Sequence, residues 1–135
     1  MIKGARILEV NAKRESTAAI QGLGINIALN EVKVDGAEIT INYTYTVKYE
    51  KNVGELKMVG EVYFEEDAKK AKEIEKQWTE KKSLPNDFAE IVLNTINYTC
   101  STNGVLVVRP VNLSPPMIPP RIQLGRAGGT AKAKA

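Results

Sequence analysis

Few residues of this chain could do chemistry, and their types narrow the options quickly. There is no histidine, so neither a Ser-His-Asp nor a Cys-His nucleophilic arrangement can be assembled. Cys100 is the single cysteine. An internal disulfide is therefore impossible, and a zinc site would have to be built largely from carboxylates. Lying beside Tyr98 and Thr99, Cys100 reads as a half-buried thiol that behaves as a small apolar group. Glu65-Glu66-Asp67 forms a carboxylate cluster whose oxygens would suit calcium or magnesium. The same three acids also stand where a strand ends and a helix begins, a place that favours negative charge. Gly22-Leu23-Gly24 lacks the following GK[ST] of a phosphate loop. The expectation is a protein with no catalytic residues, no metal and no cofactor, and hence not an enzyme.

The tyrosines are the other residues with a possible chemical role. Tyr43, Tyr45 and Tyr49 fall on one face of a long alternating segment, and Tyr63 lies in the next. Such a row either packs against a helix carrying Phe88 or offers a ligand an aromatic surface, as single-strand nucleic-acid platforms do. Basic residues are not interleaved with it, which argues against nucleic acid. The net charge of +3 comes from 19 Lys and Arg against 16 Asp and Glu. Arg121, Arg126, Lys132 and Lys134 supply four of those positives, and without them the charge is about −1. The basic character belongs to a tail.

The elements that must position these residues follow from periodicity. Arg6 to Glu15 reads as a first strand, with Leu8, Val10 and Ala12 on one face. In Gly24 to Val34 the apolar positions switch from odd (Ile25, Ile27, Leu29) to even (Val32, Val34), which predicts a bulge near Asn30 and Glu31. Asp35-Gly36, between Val34 and Ala37, predicts a type I′ hairpin turn, in which both central residues need positive φ. Glu38 to Glu50 alternates without a break, Ile39, Ile41, Tyr43, Tyr45, Val47 and Tyr49 against Thr40, Asn42, Thr44, Thr46 and Lys48. After Asn52-Val53-Gly54, the segment Glu55 to Glu65 places Leu56, Met58, Val62 and Phe64 on one face.

From Asp67 the period becomes helical, with a thin stripe of Ala68, Ala71, Ile74 and Trp78. Pro85 suits the first turn of a second helix. Its apolar positions run from Phe88 through Ile91, Val92 and Ile96 to Thr99, and Asn103-Gly104 supplies a stop. Val105 to Leu113 then reads as short and extended, and Ser114 to Pro120 as polyproline-like backbone. The fold class expected is α+β: a four-stranded antiparallel sheet, meander plus N-terminal strand, with one or two helices packed on one face.

At 135 residues, 43% apolar and 26% charged, the chain has one domain's worth of core. The expected organisation is one domain over 1–122, including a Pro-rich strap over 110–122, and a disordered basic tail over 123–135. No apolar run approaches the roughly 20 residues of a membrane helix, so no membrane insertion is expected. The apolar run near the start is too short for a secretory signal, which makes the cytoplasm the expected location.

The order of these elements, with ILEVNAKRE as opening strand, LPNDFAEIVLNTINYTCSTNG as helix and VLVVRPVNL after it, resembles the SecB-type export chaperones and their wider SecB-like family. The likeness covers about Ile7 to Leu113. It implies a dimer of dimers and ATP-independent capture of unfolded polypeptides. The pattern departs at Ser114-Pro115-Pro116, where that family continues into a helix. Its well-studied members are also strongly acidic, unlike this chain.

The function expected is a holdase that binds extended apolar segments of client polypeptides as a homo-oligomer, dimer or tetramer. Its candidate peptide-binding residues are Ile25, Ile27, Tyr43, Tyr45, Tyr63, Met117 and Ile118. Two rivals stand beside it. One is an assembly module that docks a fixed partner through the Pro-rich strap. The other is a small-ligand carrier in which Tyr49 and Thr46 polarise the ligand.

Overall fold

A computed structural model describes residues 1–116. Its sheet has four antiparallel strands, β1 (Ile2–Arg14), β2 (Leu23–Asp35), β3 (Glu38–Tyr49) and β4 (Gly54–Glu65), in the order β1-β4-β3-β2. Two helices follow, α1 (Ala68–Lys81) and α2 (Asn86–Val108). This is the α+β arrangement expected from the alternation. Among the described residues, no helix is long and apolar enough to cross a membrane.

The unbroken alternation of β3 is what fixes the core. Ile39, Ile41, Tyr43, Tyr45, Val47 and Tyr49 are all buried, as are Leu56, Met58, Val62 and Phe64 on β4. Both helices cover this face. α1 lies on β2 and α2 on β4, β1 and β3. Phe88 of α2 meets Phe64 edge-on, with ring centroids 5.1 Å apart, a geometry aromatic pairs favour. Asp67 caps α1 by accepting the Lys70 N–H at 2.8 Å, which satisfies one orphan donor of the first turn.

The bulge expected in β2 is present, between Leu29 and Glu31. Three other expectations need correction. The hairpin closes one residue later than expected: Asp35 pairs with Glu38, and only Gly36, at φ 65°, has positive φ. Gly at the first central position is what a type II′ turn requires, so Asp35 stays in the strand. β1 begins at Ile2, and its register shifts at Ile2/Gly4 and Ile7/Glu9. Ile7 therefore shares the helix-side face with Val10 and Ala12, whereas a uniform strand would have placed it opposite them.

The largest correction concerns α2, which passes straight through Asn103-Gly104 and ends at Val108. Phe88, Val92, Ile96, Cys100, Gly104 and Val108 are its buried positions at every fourth residue. Each step of four overshoots a full turn by about 40°, so the buried line winds about 200° around the helix. Gly104 is thus a contact rather than a stop. A Cβ there would meet Pro116 Cγ at 2.8 Å and Leu56 Cδ2 at 3.4 Å. The run expected to be extended is helical to Val108, then a single 3-10 turn over Arg109–Val111, closed by Asn112 at φ 56°.

Candidate functional site

An open sheet has two edges, and here they are unequal. β1 carries Lys3, Arg6, Glu9, Lys13 and Arg14 and two irregularities of register. Charge and bulges are the devices that keep an edge from pairing with another chain. β2 has neither in its first half: from Ser16 to Asn30 no residue is charged, and pairing with β3 is regular from Leu23 to Leu29.

The backbone of that stretch is offered outward in a definite phase. Glu50 N–H donates to the Gly22 carbonyl at 2.9 Å. Antiparallel strands alternate hydrogen-bonded and non-bonded pairs, so continuing this phase bonds Gly24, Asn26 and Ala28 to β3. The N–H and C=O groups of Leu23, Ile25, Ile27 and Leu29 then face the open side.

The side chains of the same four residues lie on the core face, opposite Tyr49, Val47, Tyr45 and Tyr43. They are half-buried, at the margin of the core. On the other face Gly24 leaves open space where a Cβ would be. There an open hollow of about 490 Å³ is lined by Gly24, Ile25, Asn26, Thr46 and Lys48. Among the described residues, Leu23–Leu29 is therefore an unpaired, uncharged strand edge with a half-covered apolar row beneath it.

Of the described residues singled out from sequence, the structure brings only Ile25 and Ile27 together on this edge. Tyr43 and Tyr45 are fully buried beneath α2 and, as folded, present no surface. The Cys100 thiol donates to the Tyr43 oxygen at 3.5 Å. Burial pushes that thiol up to about 11, and it raises the Tyr43 phenol well above its ordinary value, helped by the thiol contact. Burial likewise raises Tyr45, with Ser101 opposing, yet among the described residues the Tyr45 hydroxyl finds no hydrogen-bond partner of good geometry. Tyr63 is on the opposite face and donates to Glu61 Oε1 at 2.9 Å. Met117 and Ile118 lie outside the described residues, as does the tail over 123–135. In the carboxylate cluster Asp67 is the cap of α1, and Glu65 faces Lys3 at 3.7 Å.

Residues that sequence reasoning missed hold the near end of this edge. Arg14 donates to the carbonyls of Ser16 at 2.7 Å, Ala18 at 2.9 Å and Asn112 at 2.5 Å. One guanidinium, with its fixed fork of donors, thereby ties the loop that enters β2 to the chain leaving α2. Leu113 is buried against Gly54, where a Cβ would meet it at 2.9 Å. Tyr49 donates its hydroxyl to the Ser114 carbonyl, and burial lifts its phenol to about 12. The sequence signal for this cluster is Gly54, which reads locally as part of the break between two strands and shows nothing of the chain that returns to pack on it.

Fold and edge together define an α+β protein with an open antiparallel sheet and one unprotected edge strand. No family model matches the chain, and no curated protein or solved structure matches it.

Proposed function

We propose that this protein is a non-catalytic, ATP-independent holdase of the cytoplasm that binds extended apolar polypeptide segments by adding them as a strand to the β2 edge. The observation that carries the reading is the uncharged, regular run Leu23–Leu29 with Ile25, Ile27 and Leu29 half-covered under it. Strand addition draws affinity from main-chain bonds and specificity from alternate side chains. A client with apolar residues at every second position would complete the half-covered row.

The magnitudes suit capture and release. Four outward residues offer up to eight main-chain bonds, each worth about 0.5–1.5 kcal/mol net. Association costs about 4–15 kcal/mol, so the bonds alone leave weak binding, and apolar burial must make up the rest. Micromolar, reversible affinity is expected, in keeping with the SecB-like resemblance.

The test is site-resolved hydrogen exchange with a synthetic, alternating apolar peptide. The amides of Ile25 and Ile27 should slow on adding peptide, whereas those of Asn26 and Ala28, already bonded to β3, should not change. Protection spread evenly over β2, or confined to α2, would end the edge-addition reading.

The assembly-module reading draws support from a different observation, the anchoring of Asn112, Leu113 and Pro116, which gives the strap a fixed root. Removing residues 117–135 separates the two. Client holding that survives the deletion favours the β2 edge, and loss of one stable partner with holding unchanged assigns a docking role to the strap.

A further inference from the structure

The chain leaving α2 lies in notches that two glycines keep open. A Cβ on Gly54 of β4 would meet Leu113 Cδ2 at 2.9 Å, and one on Gly104 of α2 would meet Pro116 Cγ at 2.8 Å. Leu113 and Pro116 are both buried there. The path also has a direction. Asn112 is held by Arg14 at the end of β1, Leu113 lies on Gly54 at the start of β4, and the Ser114 carbonyl accepts from Tyr49 at the end of β3. Three successive residues thus step across three strands in the order of the sheet, and the next strand in that order is β2.

We infer that the residues that follow, Met117 and Ile118, lie on the apolar row Leu23, Ile25 and Ile27 of their own chain and cover it until a client displaces them. Reach supports this occupant. Pro116 and Leu56 flank the same point below Gly104, and Leu56, Val47 and Ile25 form one row across β4, β3 and β2. Two strand spacings of about 4.8 Å separate Leu56 from Ile25, and polyproline-like chain advances about 3.1 Å per residue. Met117 and Ile118 therefore come within side-chain reach of Ile25. Chemistry supports it too. From Ser114 to Pro120 these two are the only residues other than serine and proline, and the row they meet is apolar and half-buried. The four prolines beside them carry no N–H, so the segment covers side chains without extending the sheet into a new open edge.

The consequence for clients rests on the β2-edge reading. A strand added to β2 brings its own side chains onto this row, so client and strap exclude each other. Apparent affinity for a client is then lowered by the fraction of molecules left uncovered, about fivefold if roughly four molecules in five are covered.

Methyl nuclear Overhauser spectra of the full chain test the contact directly. The Ile118 methyls should show cross-peaks to those of Ile25 or Ile27, unchanged on dilution. The full-length double variant Met117→Asp with Ile118→Asp should keep the native methyl pattern elsewhere and bind an alternating apolar peptide about fivefold more tightly. Absence of those cross-peaks, their appearance only between differently labelled chains, or peptide bound equally tightly by native and variant protein would each overturn the cover. The two readings fail separately: cross-peaks present with peptide bound by neither protein keep the contact and end edge addition, whereas peptide bound equally by both without cross-peaks ends the contact alone.

Discussion

Tyr45→Phe should stabilise this protein, which is the opposite of what removing a buried side-chain atom usually does. The ring is fully buried in the centre of the sheet, and its hydroxyl lacks a hydrogen-bond partner of good geometry. A buried polar group without a partner costs about 1–3 kcal/mol, and phenylalanine keeps the ring that fills the space, so little cavity forms. We expect a gain of about 1 kcal/mol, seen as a rise of roughly 3–5 °C in melting temperature for a domain of this size. Circular dichroism melts, with urea titration for the free energy, read it. A loss of about 0.5 kcal/mol or more would show that the hydroxyl is satisfied in solution, by water or by Ser101, and that no orphan polar group is buried there.

The same variant separates two ways of holding a client. If α2 had to lift so that Tyr43 and Tyr45 could touch the client, the hydroxyl would regain water in the open form. Phenylalanine would then favour the closed form and weaken client affinity by about fivefold for 1 kcal/mol. Binding at the β2 edge leaves α2 in place, and affinity for an apolar peptide should be unchanged.

Other consequences follow from the packing. Gly60→Ala should destabilise by about 1–3 kcal/mol, because its Cβ would meet the Arg6 carbonyl at 2.6 Å between β1 and β4; chemical denaturation measures it, and a neutral result would mean that β1 can move aside. Tyr49→Phe removes the bond to the Ser114 carbonyl and should cost about 0.5–1.5 kcal/mol, with faster proteolysis after Ser114; unchanged cleavage would show that Tyr49 does not hold the chain there. The phenols of Tyr43, Tyr45 and Tyr49 are raised by burial, Tyr49 to about 12. The unfolded chain therefore releases these protons first, near the ordinary value of about 10, and stability falls as pH rises from there through the folded values. A melting temperature that is flat between about pH 9 and 11 would contradict that burial. Cys100, buried and raised to about 11, should react with a thiol reagent near neutral pH only as fast as the fold opens.

The sheet was readable because its strands alternate almost without error. β3 and the lower half of β4 show every core position by period, and the switch from Leu29 to Val32 betrays the bulge. The turn at Gly36 slipped by one residue because Asp-Gly and Gly-Ala both satisfy short-turn chemistry, and pairing of Asp35 with Glu38 decides between them. β1 hid its irregularities because edge residues are only half-buried and carry a weak periodic signal. α2 misled for a different reason: a buried line that advances by four residues at each step has no fixed face. Gly104 looked like a terminator because nothing local shows that Pro116 returns to pack on it.

The candidate site was legible only in part. Ile25 and Ile27 share the edge on which the proposal rests, whereas Tyr43 and Tyr45 have the same alternating pattern and lie inside the core. Alternation tells which side chains share a face and does not tell which strand lies at the margin of the sheet. Strand order, β1-β4-β3-β2, supplies that information, and it also separates Tyr63, on the far face, from the rest.

Strand addition at β2 is best tested on the edge itself. Asn26→Lys with Ala28→Lys adds two charges to exposed positions of β2 that touch no core side chain, and such surface changes cost within about 0.5 kcal/mol. In a light-scattering assay without nucleotide, native protein in excess should slow the aggregation of a denatured client, and the double variant should lose most of that effect while keeping its melting temperature. A native protein that leaves aggregation unchanged, or a double variant that holds the client as well as the native chain, would contradict the claim.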